Sequence, residues 1–147
     1  MARFIRSIIG YNDPIEIPWR VAASQTINEG DLVGIDATSR YLKSAAASST
    51  TLAGIAQQSI TTSATVTPND KITVLPLTDV VVRLNFTGST KKTLADTDLA
   101  TTKFNLKDPQ TIDLDNTTNG MCTVIDYDND LQWADVLIAD ASIAKIG

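Results

Sequence analysis

The residues with the clearest chemical potential are the carboxylates of residues 126–130, which read Asp-Tyr-Asp-Asn-Asp. This D-x-D-x-D order opens the calcium loop of an EF-hand, in which carboxylate oxygens ligate the ion. An EF-hand loop also needs glycine at its sixth position and glutamate at its twelfth, where this chain has Leu131 and Leu137. The flanking residues have strand character and no helical periodicity. The pattern favours an acidic hairpin turn, and we expect no metal site there.

A second candidate is the pair of carboxylates at Asp113 and Asp115, two residues apart in a stretch of strand character. Side chains two apart in a strand point to the same face, so the pair is a candidate for acid–base chemistry. Solvation of an exposed strand face explains the pair equally well, and no catalytic partner accompanies it.

The rest of the sequence offers little for catalysis. The chain contains no histidine, which removes the usual general base, the Ser-His-Asp and Cys-His systems and imidazole-based zinc sites. It has no glycine-rich phosphate loop and no serine nucleophile elbow. The single cysteine, Cys122, lies in an apolar strand segment, which favours a buried, inert thiol and suits a reducing cytoplasm. We expect no enzymatic activity and no cofactor.

Charge and hydropathy limit the partners. The net charge of the 147 residues is −5 and the pI is about 4.5, without a dense Lys/Arg cluster, so direct binding of nucleic acid is not expected. No apolar run approaches the roughly 18 residues of a membrane-spanning helix, and the first residues lack the apolar core of a signal peptide. These features predict a soluble chain that is neither secreted by the usual route nor bound to a membrane.

The elements that must position these groups are short strands. Residues 29–56 show the pattern best, because three apolar segments of four to six residues alternate with turns rich in Gly, Asp and Ser. The run Val80–Val82 predicts a central strand buried on both faces. The link Thr78-Asp79 and the dipeptide Asn119-Gly120 are each interpreted as hairpin turns, although Pro76 is equally consistent with a bend in one long strand.

Two further segments have weaker patterns. Residues 44–51 are small and polar, which predicts an exposed loop; disorder of this loop when the protein is alone is left as an open alternative. Thr93 is expected to cap a single helical turn. No stretch has helical periodicity over ten residues, so the predicted class is all-β: a compact antiparallel β-barrel or β-tulip-like sandwich.

The first residues are interpreted as a separate arm. We assign residues 1–14 to an N-terminal arm and residues 15–147 to a single β-barrel-like domain. Four large apolar side chains need a surface to cover, so the arm either forms an edge strand or frayed terminus, or lies on a neighbouring subunit. The four are Phe4, Ile5, Ile8 and Ile9.

Residues 30–33, followed by a hairpin and then by Leu52–Ala56, resemble the capsid decoration (cement) proteins of tailed bacteriophages. Residues 94–107 and 111–128 resemble the second half of such proteins, where a short segment precedes a hairpin and a closing strand. The resemblance extends over most of residues 15–139 through short, degenerate motifs.

The resemblance implies a non-enzymatic virion protein, assembled in the host cytoplasm, that binds the outer capsid surface as a homotrimer. It would stabilise the mature shell by bridging neighbouring major capsid proteins. The predicted contacts are the apolar residues of the arm, with Trp19 and Arg20 at the seam. Two other hypotheses stay open: a different phage part, such as a tail-tube or head-completion protein, and a β-module that binds calcium or carbohydrate through residues 126–130.

Overall fold

The computed structural model describes residues 2–7 and 16–144, and the regular secondary structure of these residues consists almost only of short strands. Helical structure within them is limited to 3₁₀ turns at Asp96–Asp98 and Asp140–Ser142. The predicted all-β barrel class is confirmed. The thirteen strands are β1 Arg3–Ser7, β2 Ile17–Arg20, β3 Thr26–Ile27, β4 Leu32–Ile35, β5 Leu42–Ser44, β6 Leu52–Ala56, β7 Ile60–Thr61, β8 Lys71–Pro76, β9 Val80–Thr87, β10 Lys103–Asp108, β11 Thr111–Asp113, β12 Cys122–Asp128 and β13 Trp133–Ile138.

Residues 77–144 form the barrel lobe. Its strands follow the order β9-β11-β10-β12-β13, and the barrel closes because β13 also pairs with β9. All of these pairs are antiparallel except β11–β9, which is parallel. Strand β1 pairs antiparallel with the first half of β9, on the edge that β11 occupies further along. Because β9 has three neighbours, the prediction of a central strand at Val80–Val82 is confirmed.

The core of the barrel lobe comes from the alternation of its strands. In β9, Val82, Leu84 and Phe86 point inward and are at most 2% exposed, whereas Asn85 between them is exposed. Twenty-two buried residues form this cluster, and Phe104 is the largest of those that are almost fully buried.

Residues 17–76 form the sheet lobe, an antiparallel sheet of order β2-β8-β6-β4-β5. An isolated bridge between Val21 and Leu42 joins its two ends, and the Ala22 N–H donates to the Leu42 carbonyl at 2.8 Å. Strands β3 and β7 form a separate two-stranded ribbon. A second, smaller cluster fills this lobe: Val21, Ile27, Val33, Leu42, Ala53, Ala56, Ile72 and Val74. The predicted 15–147 unit therefore contains two buried clusters.

The lobes are joined by packing and by hydrogen bonds. Leu32, Leu52 and Ile55 belong to the sheet lobe but pack into the barrel cluster. Asn105, 1% exposed, accepts a hydrogen bond from the Ser48 N–H at 2.7 Å and donates to the Ser48 hydroxyl at 2.9 Å. The prediction of an exposed loop at residues 44–51 is confirmed, and the bonds between Ser48 and Asn105 tie this loop to the barrel.

Both predicted hairpin turns are wrong. Strand β8 pairs with β2 and β6 and not with β9, because the chain leaves the sheet lobe after Pro76 and buries Leu77 in the barrel cluster. It turns at Asp79, whose φ is 57°.

The strands that flank Asn119-Gly120 do not pair with each other. Strand β11 folds back on β10 through Pro109 and Gln110, and its other edge meets β9. Strand β12 instead pairs with β10 and β13. Gly120 is required for a different reason, since a Cβ there would collide with the Lys103 carbonyl. The single helical turn exists but begins at Asp96, with Ala95 and not Thr93 at the cap position.

Candidate functional site

The acidic run at residues 126–130 ends β12 and forms the turn to β13, so the acidic hairpin turn is confirmed. One Asp128 carboxylate oxygen accepts the backbone N–H groups of Asp130 and Leu131, each at 2.9 Å. The Asn129 amide bonds both backbone groups of Leu94, at 2.9 and 3.0 Å. Within residues 2–7 and 16–144, no three acidic or cysteine side chains are grouped to hold a metal ion.

The pair Asp113 and Asp115 also has a structural role. Asp115 accepts the backbone N–H groups of residues 89–91 at 2.5, 3.0 and 2.7 Å. These bonds hold the pKa of the Asp115 carboxyl below its usual value, and the bond from the Lys91 N–H contributes most to the lowering. Asp113 in turn accepts the Asp115 N–H at 3.0 Å. The two carboxylates fasten a loop to β11.

Other carboxylates act in the same way. Asp36 accepts the N–H groups of Thr38 and Ser39 at 3.1 and 2.8 Å, and the bond from Ser39 is the main cause of its lowered pKa. Burial raises the pKa of Asp98, but bonds from Lys91, at 2.9 Å, and from the Ala95 N–H outweigh it, so the pKa is lowered. Asp36 and Asp128 stand at the start of the turns that they brace, where aspartate is a recognisable sequence signal. Asp98 and Asp115 brace backbone that precedes them, and no such signal marks them.

Cys122 is fully buried in the barrel, and the prediction of a buried thiol is confirmed. Burial raises its pKa to about 12. The thiolate is therefore not populated at neutral pH, which leaves the group inert as a nucleophile.

The predicted interface residues Trp19 and Arg20 lie where the ends of the sheet lobe meet. The Trp19 indole N–H donates to the Arg40 carbonyl at 3.4 Å. The Arg20 guanidinium carbon lies 4.4 Å from the centre of the Tyr41 ring, a cation–π contact. The participation of Tyr41 and Arg40 is not evident from the sequence, because they are about twenty residues away along the chain.

The predicted arm residues belong to a different surface. Phe4 and Ile5 lie in β1, where Phe4 pairs with Val82 and packs partly against the barrel cluster. For residues 3–7 the structure gives the edge strand. Ile8 and Ile9 lie outside the described residues. Phe4 and Ile5 are thus on the barrel lobe and Trp19 and Arg20 on the sheet lobe, and the docking of an arm on a neighbour stays a prediction.

A second arginine–aromatic cluster lies on the outer face of the barrel. Arg83 donates two hydrogen bonds to the Asp135 carboxylate, at 2.7 and 2.8 Å, which raise the pKa of the guanidinium. The same guanidinium lies 3.6 Å from the centre of the Trp133 ring. The ion pair forms because Asp135 and Arg83 are cross-strand partners in β13 and β9. The sequence does not reveal it, because the two residues are 52 positions apart in the chain.

Charge is divided unevenly between the lobes. Residues 77–144 contain eleven aspartates and five lysines or arginines, whereas residues 16–76 contain five acidic and four basic residues. The barrel lobe therefore carries most of the negative charge of the protein.

In the described part of the chain, no helix is long and apolar enough to cross a membrane. The sequence matches no protein-family model, and no curated protein matches it.

Proposed function

We propose that this chain is a non-enzymatic structural protein of a tailed bacteriophage, a capsid decoration protein that binds the outer surface of the head. The observation that carries the proposal is the use of its carboxylates. Asp36, Asp98, Asp115 and Asp128 each accept hydrogen bonds from backbone N–H groups of turns and loops. A protein that acts as a clamp needs a preorganised surface, because ordering loops on binding costs affinity.

The resemblance in residues 30–56 and 94–128 gives the partner. The chain would bridge neighbouring major capsid proteins and associate with itself as a homotrimer on the shell. An interface of about 1,600 Å² is sufficient for specific association, and contacts with several shell subunits at once add avidity. Internal pressure from packaged DNA is then resisted by surface buried across subunit boundaries.

Binding to heads that lack the chain tests the proposal. Purified protein is mixed with such heads and sedimented, and the retained chain is measured together with the temperature at which the heads release DNA. We expect saturable binding and a higher release temperature. Heads that neither retain the chain nor gain heat resistance would contradict the function.

The role of β1 needs a point substitution. Removing the first twelve residues also removes β1 and uncovers Val80 and Val82 of the barrel, so a truncation does not separate folding from binding. Ile5→Asp changes a half-buried side chain of β1 instead. We expect fewer bound copies per head with an unchanged circular dichroism spectrum, and unchanged occupancy would remove β1 from the contact.

A further inference from the structure

The outer face of the sheet lobe carries a cluster of cations around an aromatic ring. Val21, Leu42 and Ile72 are buried in the lobe, so the alternation of strands places their neighbours on the opposite face. Arg20 and Lys71 are cross-strand partners in β2 and β8, and Arg20 stacks on Tyr41 across the junction with β5. We name this surface the cationic face; it consists of Arg20, Tyr41, Lys43 and Lys71, together with Arg40, which is exposed and directly precedes Tyr41 in the chain.

The charge on the cationic face is only weakly compensated within the described residues. Lys43 lies 3.9 Å from Asp36, whose other carboxylate oxygen is held by Ser39 and Thr38. Asp70, next to Lys71, accepts the Thr67 N–H at 2.6 Å. Arg20 forms no ion pair in this part of the chain, and its buried Nε has no hydrogen-bond partner there.

The barrel lobe presents a surface of opposite character. The turn between β12 and β13 exposes Asp126 and Asp130, with Asp128 bracing the backbone beneath. Leu131 lies in this turn and its side chain is 71% exposed. No other large apolar side chain in residues 2–5 and 16–144 is exposed to a similar extent. We name this surface the acidic tip; it consists of Asp126, Asp128, Asp130 and Leu131.

We propose that the acidic tip of one copy binds the cationic face of a second copy. The aspartates would meet Arg40, Lys43 and Lys71, and Leu131 would lie against the Tyr41 ring and so lose its exposed apolar area. The two surfaces are on different lobes, so the contact is head to tail, and three copies form a ring if the rotation between them closes. The inference deepens the self-association in the proposed function and needs no shell.

Charge reversal in solution tests the contact. Sedimentation velocity of the full chain over a range of concentrations gives the dissociation constant of self-association at low and high salt. Arg40→Glu and Asp130→Lys are each expected to raise this constant at least tenfold. Both positions are exposed, so the substitutions should change folding little. Residue 40 has a positive φ of 64°, and glutamate fits this backbone conformation no worse than arginine because both residues have a Cβ.

Mixing the two variants is the sharper arm of the test. The Arg40→Glu copy keeps a native tip and the Asp130→Lys copy keeps a native face, so the equimolar mixture should associate where neither variant does alone. Lys92→Glu and Asp140→Lys, exposed charges outside both surfaces, are matched controls that should leave association unchanged.

A wild-type chain that stays monomeric at low salt, or variants that associate as the wild type does, would overturn the inference. Binding of the cationic face to a nucleic acid in preference to a second copy would also overturn it. Heads are absent from this experiment, so self-association without head binding removes the proposed function alone. Head binding by a chain that never self-associates removes this inference alone.

Discussion

The two lobes differ in how the first and last strands of their sheets meet. The barrel lobe closes through continuous strand pairing. Its buried cluster of twenty-two residues takes sixteen from residues 77–144, Phe104 and Met121 among them. The sheet lobe surrounds eight residues. Its ends meet through the bridge of Val21 and Leu42, the stacking of Arg20 on Tyr41 and the hydrogen bond from the Trp19 indole to the Arg40 carbonyl. We therefore expect the barrel to contribute most of the stability. The sheet lobe packs several of its apolar side chains into the barrel cluster and presents a charged outer face.

The largest effect is expected from the barrel core. Phe104→Ala removes the largest of the almost fully buried side chains and should lower the free energy of unfolding by about 3–5 kcal/mol. Ile72→Val, in the smaller cluster of the sheet lobe, should cost about 0.5–1.5 kcal/mol. Urea denaturation measures both losses, and a loss below about 2 kcal/mol for Phe104→Ala would contradict the tight packing of the barrel core.

Next in size is a substitution within the sheet lobe. A Cβ on Gly54 would collide with the Leu75 carbonyl and the Val74 side chain, so Gly54→Ala should cost about 1–3 kcal/mol or more through overpacking. Gly34→Ala is the matched control, because its Cβ would lie 3.2 Å from the Thr51 carbonyl, a contact that a small shift relieves. Thermal melting compares the two variants. A Gly54 variant as stable as the control would show that β6 and β8 are not tightly packed.

The joint between the lobes gives a similar or smaller effect. Asn105→Ala removes both bonds to Ser48 and the bond to the Thr118 carbonyl, with an expected loss of about 1–3 kcal/mol from the polar groups left unpaired. Hydrogen exchange should quicken in residues 44–51 ahead of the barrel strands. Uniform acceleration in both lobes would mean that Asn105 supports the barrel and not the joint.

Acid should weaken the fold through its anchoring carboxylates, mostly in the barrel lobe. The pKa values of Asp98 and Asp115 are lowered by folding, as is that of Asp36 in the sheet lobe. Their stabilisation is fully present above the unfolded pKa of about 3.9 and is lost as the pH falls through the lower folded values. The urea concentration at the midpoint of unfolding should therefore decrease once the pH is lowered below about 4. Asp115→Asn should flatten that fall, and a midpoint that rises in acid would contradict the assignment.

The sequence is informative where the pattern is local. Alternation and turn residues correctly locate the apolar strands Leu32–Ile35 and Leu52–Ala56 within residues 29–56, and the apolar run correctly predicts a central β9. The burial of Cys122 follows from its apolar neighbours.

Strand partners are less predictable, because pairing depends on residues far apart in the chain. Asn119-Gly120 has the composition of a hairpin turn, but the close approach of the Lys103 backbone is what requires glycine. The cationic face is hard to predict for the same reason, because its residues are far apart in the chain. Arg20 and Tyr41 meet because the sheet lobe curls until the end of β2 reaches the start of β5. The functional roles of Ile8 and Ile9 stay predictions.

The most direct test of the proposed function is the copy number of this chain relative to the major capsid protein in purified particles of the proposed phage. Stained-gel densitometry of intact virions is sufficient. Decoration of the whole shell predicts a ratio near one to one or another simple large fraction. A ratio of a few per cent would place the chain in the neck or tail, and its absence from the particle would contradict a structural role.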